Sequence, residues 1–406
     1  MPNRRLIEQT IERAFPGHAV FVPSARFGLM LAFEHFLSAG DKVLLTSACC
    51  ETVVFALYAA GVKPVFVDLE ENSGNIDCAA LARLDVPDAR AVLAIHLYGV
   101  PDDLAALGDL CKRRDWLLLE DCAQVLDSYS RGLRAGSVGQ AAVYSFPKFF
   151  DEPGGAILCR EAGDAEALRR RADHLAERPS WPQEWLRRIQ AAIGLRGAWI
   201  REGLGRWARR VGRRPSPPAT TVRETAPLRV LPAELADSLR GNADGNGARE
   251  PARRHGLAGF RTYPPAVFVR RLAGKLAEVR RLADRIREEN DRLCRECPLP
   301  MCPPARFADP CHLAVPFRTT RREPLRRAIE AHTGQAVYYI YDPPLTDYLP
   351  VGSYTDCRQD PWRDRRWCSE VLPIRGSLGP ESVAALRKAL HGAANAAEAE
   401  PTPAAS

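Results

Sequence analysis

The chain has few amines that could do chemistry. Arginine dominates its basic residues, and its six lysines are Lys42, Lys63, Lys112, Lys148, Lys275 and Lys388. A lysine amine can attack a carbonyl carbon or act as a general base when its surroundings keep it from being a solvated cation. Only Lys148 lies in a loop between a strand-like run and two glycines, whereas Lys42 and Lys63 precede strands and Lys112 lies in a charged helix. Lys148 is therefore the amine that the sequence favours for catalysis over a merely solvated loop lysine.

An acid stands at the end of another strand-like run. WLLLED, residues 116–121, is apolar until its last two positions, so Asp121 lies at a strand's carboxyl end. A buried carboxylate there can hold a proton on a basic nitrogen of a ligand, because opposite charges in a low dielectric favour the ionised pair. An aspartate after a strand is also a common helix N-cap. Both interpretations stay open from this segment alone.

The elements that would position these groups alternate along residues 19–159. Helical spacing covers residues 24–37, where a serine could cap the helix, and residues 51–60 and 104–114. Nearly all-apolar runs, typical of strands, occur at residues 42–45, 64–69, 91–95, 116–121, 141–146 and 154–160. Such strands between helices predict a parallel or mixed sheet covered on both faces. Ligands bind at the carboxyl ends of such strands, so Asp121 and residues 145–148 should line one crevice.

Composition limits the class of protein. A length of 406 residues exceeds what one hydrophobic core usually serves, so we expect two domains. The contents of 46% hydrophobic and 26% charged residues are those of an ordinary globular protein, and a formal charge of +7 does not indicate nucleic acid. We find no apolar run of about 20 residues, and the first fifteen residues do not have the pattern of a secretion signal. Twelve cysteines without such a signal indicate reduced thiols, and we expect a cytoplasmic protein.

Several motifs in register carry a family resemblance. They are AGVKPVFVDL (60–69) before Asn-Ile-Asp, HLYG (96–99) followed by Pro101, EDCAQ (120–124), GSVGQAAVYSF (136–146), a lysine, and the pair Gly154 and Gly155. With these pieces the sequence resembles the DegT/DnrJ/EryC1/StrS family, sugar aminotransferases of the pyridoxal-phosphate (PLP) fold type I. The order and spacing agree over roughly residues 20–160, and a weaker likeness runs through the C-terminal region.

The resemblance implies a fold and a reaction. It implies an α/β fold in which a large PLP-binding domain, residues 1–225, contains a mostly parallel seven-stranded sheet covered by helices. A smaller C-terminal α/β domain would span residues 226–395, before a disordered tail at 396–406. The implied reaction transfers an amino group from an amino acid, glutamate in our prediction, to a nucleotide-linked keto-sugar in cell-surface polysaccharide or secondary-metabolite biosynthesis. It also implies a homodimer whose active site lies at the subunit interface.

The resemblance also assigns roles to residues. Lys148 would hold PLP covalently and then move protons, while Asp121 would keep the pyridine nitrogen protonated, the form in which PLP is the better electron sink. Gln124 would contact the PLP hydroxyl, and Ser145 would bind its phosphate. Lys148 follows Ser145 by three residues, whereas the family usually has Ser-Phe-His-x-x-Lys; SFPKFFDEPGG is closer to a branch with Ser-x-x-Lys.

Two further positions depart from the family pattern. PSARFGLML (23–31) occupies the place of a Ser-Gly-Thr-like phosphate turn, with Arg26 and Phe27 instead of small residues. We expect backbone amides and the Arg26 guanidinium to bind phosphate there, with a surface helix residue as the alternative for Arg26. SACCETVV (47–54) offers Cys50 where the family commonly stacks an aromatic side chain on PLP. We expect Cys50 near the ring without a chemical duty.

Three features admit other interpretations. Residues 187–214 contain nine arginines and one acid, Glu202, and apolar residues at helical spacing in 185–214 fit either protein packing, which we favour, or an anionic membrane surface. The thiols Cys294, Cys297, Cys302 and Cys311 are too irregularly spaced for us to predict a metal site. His96 is expected to be a hydrogen-bonded residue at a strand end. Residues 272–293 are predicted to form one long charged helix.

Two rival functions remain open. A PLP enzyme of this fold could instead dehydrate a sugar, but family members that do so tend to carry histidine in place of the lysine, and Lys148 argues against that. The other rival is a non-catalytic relative that serves as a scaffold or membrane-associated partner. The altered phosphate turn, the shortened lysine loop and the basic segment keep this second alternative open.

Overall fold

The structure, a computed structural model, describes residues 4–178, 260–297, 299–300, 308–333, 337, 341–342, 344–348, 356–357, 361–376, 384 and 387. The basic segment 185–214, the predicted domain boundary at residue 225, and the tail 396–406 lie outside these residues.

The described helices include the three predicted over residues 24–37, 51–60 and 104–114, together with several more. In chain order they are α1 (Arg4–Ala14), α2 (Ala25–Phe36), α3 (Glu51–Ala59), α4 (Cys78–Arg83), α5 (Leu104–Arg114), α6 (Pro147–Phe150), α7 (Ala162–Leu175), α8 (Ala266–Leu276), α9 (Val279–Glu296), α10 (Arg322–Thr333), α11 (Leu345–Tyr348) and α12 (Pro361–Glu370). The prediction of a single helix over 272–293 is wrong. The chain turns at Glu278 (φ −107°, ψ 18°), and this turn lets both Leu276 and Val279 be buried.

The strands form one large sheet and two small ones. They are β1 (His18–Val22), β2 (Lys42–Leu45), β3 (Lys63–Phe66), β4 (Ala89–Ile95), β5 (Leu117–Cys122), β6 (Tyr129–Ser130), β7 (Leu133–Arg134), β8 (Ala141–Ser145), β9 (Gly155–Cys159), β10 (Ala308–Asp309), β11 (Val315–Arg318), β12 (Asp356–Cys357) and β13 (Val371–Ile374). The large sheet has the order β1-β9-β8-β5-β4-β2-β3-β12. Only β9 runs antiparallel to its neighbours, so the predicted mostly parallel sheet of seven strands is confirmed. The two-residue β12 extends it, and so short a strand has no periodicity to reveal it in the sequence.

Helices cover both faces of the large sheet. Along β4, Leu93 lies in one apolar cluster with residues of α2 and α3, while Val92 lies in another with residues of α4 and α5. Successive strand residues point to opposite faces, so this alternation places one layer of helices on each side. A strand buried on both faces must be apolar throughout, which is why these strands read as continuous hydrophobic runs.

Side-chain caps fix where the helices begin. Ser24 caps α2 as predicted, because its Oγ accepts a hydrogen bond from the Phe27 amide at 3.2 Å. Asp77 and Asp103 do the same for α4 and α5. Each cap satisfies an amide that the first helical turn leaves without an internal partner.

The C-terminal region packs partly on the large sheet and partly on itself. Strands β11 and β13 pair antiparallel and share a separate apolar cluster with residues of α9 and α10. Helix α8 instead shares a cluster with α1 and with the residues after β8. Within the described residues, no helix is both long enough and apolar enough to cross a membrane.

Gly74 marks a close contact between the two regions. Its φ of +74° is in the left-handed range, and a Cβ there would lie 2.3 Å from the ring of Trp367, which is buried in the same cluster as the sheet. Gly40 has a comparable φ of +95° but open space around its Cβ position.

Gly74→Ala is therefore expected to destabilise the protein more than Gly40→Ala. Both substitutions strain the backbone by about 1–2 kcal/mol. Only the alanine at 74 also displaces Trp367, which costs a further 1–3 kcal/mol, roughly, for overpacking. Guanidinium unfolding of the two variants measures the difference, and equal midpoints would show that the Trp367 contact contributes nothing.

Candidate functional site

The carboxyl ends of three neighbouring strands bring the predicted site residues together. Asp121 in β5 pairs with Ile95 of β4 on one side and with Val143 of β8 on the other. Ser145 ends β8 two residues further on and is half-buried. Asp121 and Ser145 therefore lie together at the carboxyl ends of the strands, where the sequence predicted a crevice, and we keep that word for this place.

Lys148 faces this crevice from the short helix α6. Its ammonium group interacts electrostatically with Asp121 and Cys50, and also with Arg26 and Arg375. Burial lowers the pKa of Lys148 below its usual range; Asp121 and Cys50 oppose this shift, and the two guanidinium groups add to it. A lysine with a lowered pKa is more readily the neutral amine that nucleophilic attack requires.

Asp121 is the buried acid of the crevice. It is 6% exposed, and its Oδ1 accepts a hydrogen bond from the Ala123 amide at 2.9 Å. Burial raises the pKa of the Asp121 carboxyl, although the nearby Lys148 ammonium lowers it in part. A buried carboxyl with a raised pKa is one whose charge is incompletely compensated, so its surroundings suit a cationic ligand group. The protonated pyridine nitrogen of PLP fits that requirement.

The start of α2 contributes Arg26 to the crevice. Arg26 is half-buried near Lys148, as its effect on that amine shows. Phe27 has a different surrounding. Its side chain is fully buried against Phe260, with ring centroids 6.1 Å apart, and its amide is already bonded to Ser24 Oγ. Arg26 thus lies near the catalytic candidate Lys148, whereas the amide and ring of Phe27 are engaged elsewhere, and the phosphate role of both residues stays a prediction.

The pair Gly154 and Gly155 lets β9 approach the start of α2. A Cβ on Gly155 would lie 2.7 Å from the Ala25 amide nitrogen, and Gly154 has a φ of +129°. Any larger side chain at Gly155 would push α2 and Arg26 away from the crevice. This requirement explains why two glycines follow the lysine.

Gln124 sits between two tyrosines. Its Oε1 accepts from the Tyr98 amide at 2.8 Å, and its Nε2 donates to the Tyr341 hydroxyl. Tyr341 is buried, and its ring contacts that of Tyr98 with centroids 5.4 Å apart. The sequence analysis missed Tyr341 and Arg375, because both lie in the C-terminal region where the motifs are weakest. The run YYIYDPP around Tyr341 was the signal available.

Cys50 lies beside Lys148 at the N-terminus of α3. Its Sγ is 3.1 Å from Thr52 Oγ1, and burial raises the pKa of the thiol. The thiol is therefore protonated at neutral pH and is a poor nucleophile. This agrees with a residue that packs near a ligand without reacting.

Behind the crevice, Glu120 organises a buried hydrogen-bond network. Its Oε1 accepts from the amides of Val138 (2.8 Å) and Gly139 (2.7 Å), and its Oε2 from the amide of Gly136 (2.6 Å). His96 Nε2 lies 3.0 Å from the same Oε2. Burial opposes ionisation of Glu120, but these donors outweigh burial and lower its pKa. The network ties the end of β5, and with it Asp121, to the turn that precedes β8.

His96 is a fully buried, hydrogen-bonded strand-end residue, as expected. Its Nδ1 lies 3.2 Å from the Asp102 amide nitrogen, and Cys122 completes a trio whose ligand-type atoms lie within 4.8 Å of one another. Burial raises the pKa of Cys122 to about 11, so its thiol is protonated at neutral pH. With both Glu120 oxygens already accepting hydrogen bonds, the trio fits a structural network better than a set of metal ligands.

The C-terminal cysteines are separated in the structure. Cys294 and Cys297 pack at the end of α9 with β11 and β13, whereas Cys311 lies in the cluster beneath α8. Cys302 lies outside the described residues. Cys294, Cys297 and Cys311 are free thiols.

Residues 7–195 match the sequence model of the DegT/DnrJ/EryC1/StrS aminotransferase family. A similar curated relative is the dTDP-3-amino-3,4,6-trideoxy-alpha-D-glucose transaminase of Micromonospora megalomicea subsp. nigra, 33% identical over 158 residues, which are 38% of this chain and 42% of that protein. The chain thus matches less than half of that relative's length. The match to this family covers the part of the chain in which the motifs predicted it.

Solved structures extend the likeness to nearly the whole chain. S. venezuelae DesV, in complex with a ketimine intermediate, has a TM-score of 0.65 at 21% identity and covers 97% of this chain and 90% of its own. The E coli GDP-4-keto-6-deoxy-D-mannose-3-dehydratase with bound hydrated PLP has a TM-score of 0.63 at 14% identity and covers 95% and 91%. The predicted fold class is therefore confirmed. The same fold occurs in a dehydratase, so these likenesses concern the fold and not the reaction.

Glu120→Gln tests the network behind the site. An amide retains one acceptor but turns an NH₂ group toward backbone donors, so we expect a loss of about 3 kcal/mol in the free energy of unfolding at pH 7. Because the folded pKa of Glu120 lies below its ordinary value of 4.5, wild type loses this advantage as the pH falls below that value, and the gap should narrow in acid. Urea unfolding at several pH values measures it.

Glu71→Gln is the matched control for that substitution. Glu71 is 51% exposed and pairs with Arg366 at 3.2 Å on the surface, so its amide should change stability by less than about 1 kcal/mol. A gap for Glu120→Gln that is as small as the control, or that does not depend on pH, would contradict the role given to this carboxylate.

Proposed function

We propose that the protein is a PLP-dependent aminotransferase that moves an amino group from an amino acid to a keto-sugar, most simply a nucleotide-linked one. The observation that carries the proposal is the convergence of Lys148, with a lowered pKa, and the buried Asp121 in one crevice. The first half of the chain also matches an aminotransferase family model. An amine and an acid in this relation are what PLP chemistry requires of a protein.

Each residue of the crevice has a task in this proposal. When bound, PLP would supply an electron sink for the carbon that exchanges its amino group. Asp121 would hold the proton on the pyridine nitrogen, Arg26 and Ser145 would bind the phosphate, and Gln124 would orient the ring through its hydroxyl. Lys148 would hold the cofactor covalently until the amino donor displaces it. Once displaced, its amine would take a proton from one carbon and return it to another as a general base and acid.

The overall exchange is balanced without any redox partner. The amino acid loses its amino group and leaves as a 2-keto acid, and the keto-sugar gains that group and leaves as an amino-sugar. Glutamate is our proposed donor. The two rivals, a sugar dehydratase and a non-catalytic relative, become outcomes of the test below.

We further propose that the protein works as a homodimer in the cytoplasm, with the partner subunit completing the substrate side of the crevice. The support is the match of residues 7–195 to the aminotransferase family model. Membrane association through residues 185–214 stays a minority hypothesis, and those residues lie outside the described part of the chain.

The proposed function makes a spectroscopic prediction. Purified protein given PLP should show the visible absorbance of a lysine-bound cofactor, and glutamate should convert it to the absorbance of the amine form. Lys148→Ala should lose the visible band, whereas Lys112→Ala, in the charged helix α5, should keep it. A band that no amino donor alters would favour the dehydratase, and wild-type protein that gains no band would contradict the proposal.

Another prediction of the proposed function concerns Tyr341. Its hydroxyl accepts a hydrogen bond from the Gln124 amide group, the same group that would contact the cofactor hydroxyl in our proposal. Tyr341→Phe removes this competitor without emptying the space that the ring fills. We expect PLP to bind about fivefold more tightly, the equivalent of one net hydrogen bond of about 1 kcal/mol. Fluorescence titration with PLP measures this. Weaker binding by the phenylalanine variant would show that Tyr341 assists the cofactor instead of competing with it.

A further inference from the structure

The loop that carries Lys148 ends in an unusual arrangement of charges. Helix α6 is only one turn long and stops at Asp151, whose φ of +54° is left-handed. The next residue, Glu152, has no exposed surface. A carboxylate is rarely buried without charged partners, so this position calls for cations nearby.

Two cations of α8 supply that compensation. Lys275 Nζ lies 2.7 Å from Glu152 Oε1, and Arg271 Nε lies 2.9 Å from the same oxygen. The other oxygen, Oε2, is buried and makes no hydrogen bond within the described residues. The charge of Glu152 is thus balanced by these two side chains, which reach it from a helix more than one hundred residues later in the sequence.

Lys275 also holds the end of the lysine helix itself. Its Nζ donates to the carbonyl oxygen of Phe150 at 2.5 Å, one of the carbonyls that the last turn of a helix leaves unpaired. Beneath this contact, Phe150 packs against Phe146, and both belong to the apolar cluster that contains Leu272 and Leu276 of α8. Polar and apolar contacts from one helix therefore fix both sides of the turn that carries Lys148.

We propose that Arg271, Lys275 and Glu152, which we call the lysine-loop clamp, are positioning residues that hold Lys148 in register with Asp121. The loop from Ser145 to Lys148 is shorter than the family's usual loop. The clamp residues of α8 hold the residues that follow Lys148 in place. This inference rests on the proposed function, because it concerns how Lys148 reaches PLP. None of the three residues is assigned contact with the cofactor or the substrate.

The test is Lys275→Met, which keeps an unbranched side chain one atom shorter and removes its charge and its hydrogen-bond donors. Two quantities are measured on full-length protein given PLP: the rate at which the visible band appears, and the pH midpoint of that band. The groups that face Lys148, namely Asp121, Cys50, Arg26 and Arg375, are unchanged in the variant. We expect the band to appear at least tenfold more slowly and its pH midpoint to shift by at least half a unit.

Lys42→Met is the matched control. Lys42 also donates to a carbonyl, that of Pro87 at 2.8 Å, and lies 3.7 Å from the carboxylate of Asp88. It lies at the amino end of β2, and the crevice lies at the opposite, carboxyl ends of the parallel strands. Both measurements should match wild type in this variant.

The outcomes separate the two proposals. If wild type and Lys42→Met show the band and Lys275→Met matches them in rate and midpoint, the clamp proposal is overturned while the proposed function stands. If wild type shows no band, the proposed function fails and the clamp proposal fails with it. Should Lys275→Met not fold, Arg271→Gln, which leaves Lys275 on Glu152, is measured instead, and wild-type behaviour in that variant would equally overturn the clamp.

Discussion

The site depends on keeping the amine of Lys148 and the carboxyl group of Asp121 together where both are shielded from water by burial. Burial disfavours the charged form of each group, lowering the pKa of Lys148 and raising that of Asp121, while their mutual attraction only partly offsets this. Burying these two groups lowers the stability of the fold, because each loses its hydration and regains only part of that free energy from the other. Neighbouring residues must therefore keep the two groups in place. The neighbouring structure is best understood as the support for this pair.

Support comes from two independent directions. Behind Asp121, the Glu120 carboxylate gathers three amides and His96, and so fixes the end of β5 to the turn before β8. Beside Lys148, the lysine-loop clamp holds the end of α6 from α8. One network is built from residues close in sequence to the site, and the other from a distant helix. Together they restrain both partners of the pair from opposite sides.

The sequence indicated the mostly parallel sheet, and it also indicated Lys148 and Asp121, which the structure places close enough to interact electrostatically. Apolar runs between helical segments predicted six of the strands, because strands buried on both faces must be apolar throughout, and the family resemblance implied the seventh. Lys148 could be selected because the chain has few lysines and only one in a loop after a strand. The rest depends on contacts between distant residues. Nothing in the spacing around Lys275 indicates that its amine contacts Glu152. The charged residues around it in the sequence are typical of a solvent-exposed helix face. Tyr341 escaped notice for the same reason, since its partner Gln124 lies 217 residues away.

Mass-spectrometric mapping of the reduced adduct tests the central claim most directly. Protein loaded with PLP is treated with borohydride, digested, and searched for the cofactor on each lysine in turn. We predict one modified peptide, containing Lys148, with Lys275 next to the same loop left unmodified. An adduct on Lys275, or one spread among the surface lysines, would contradict the assignment of Lys148 as the amine that the crevice was built to hold.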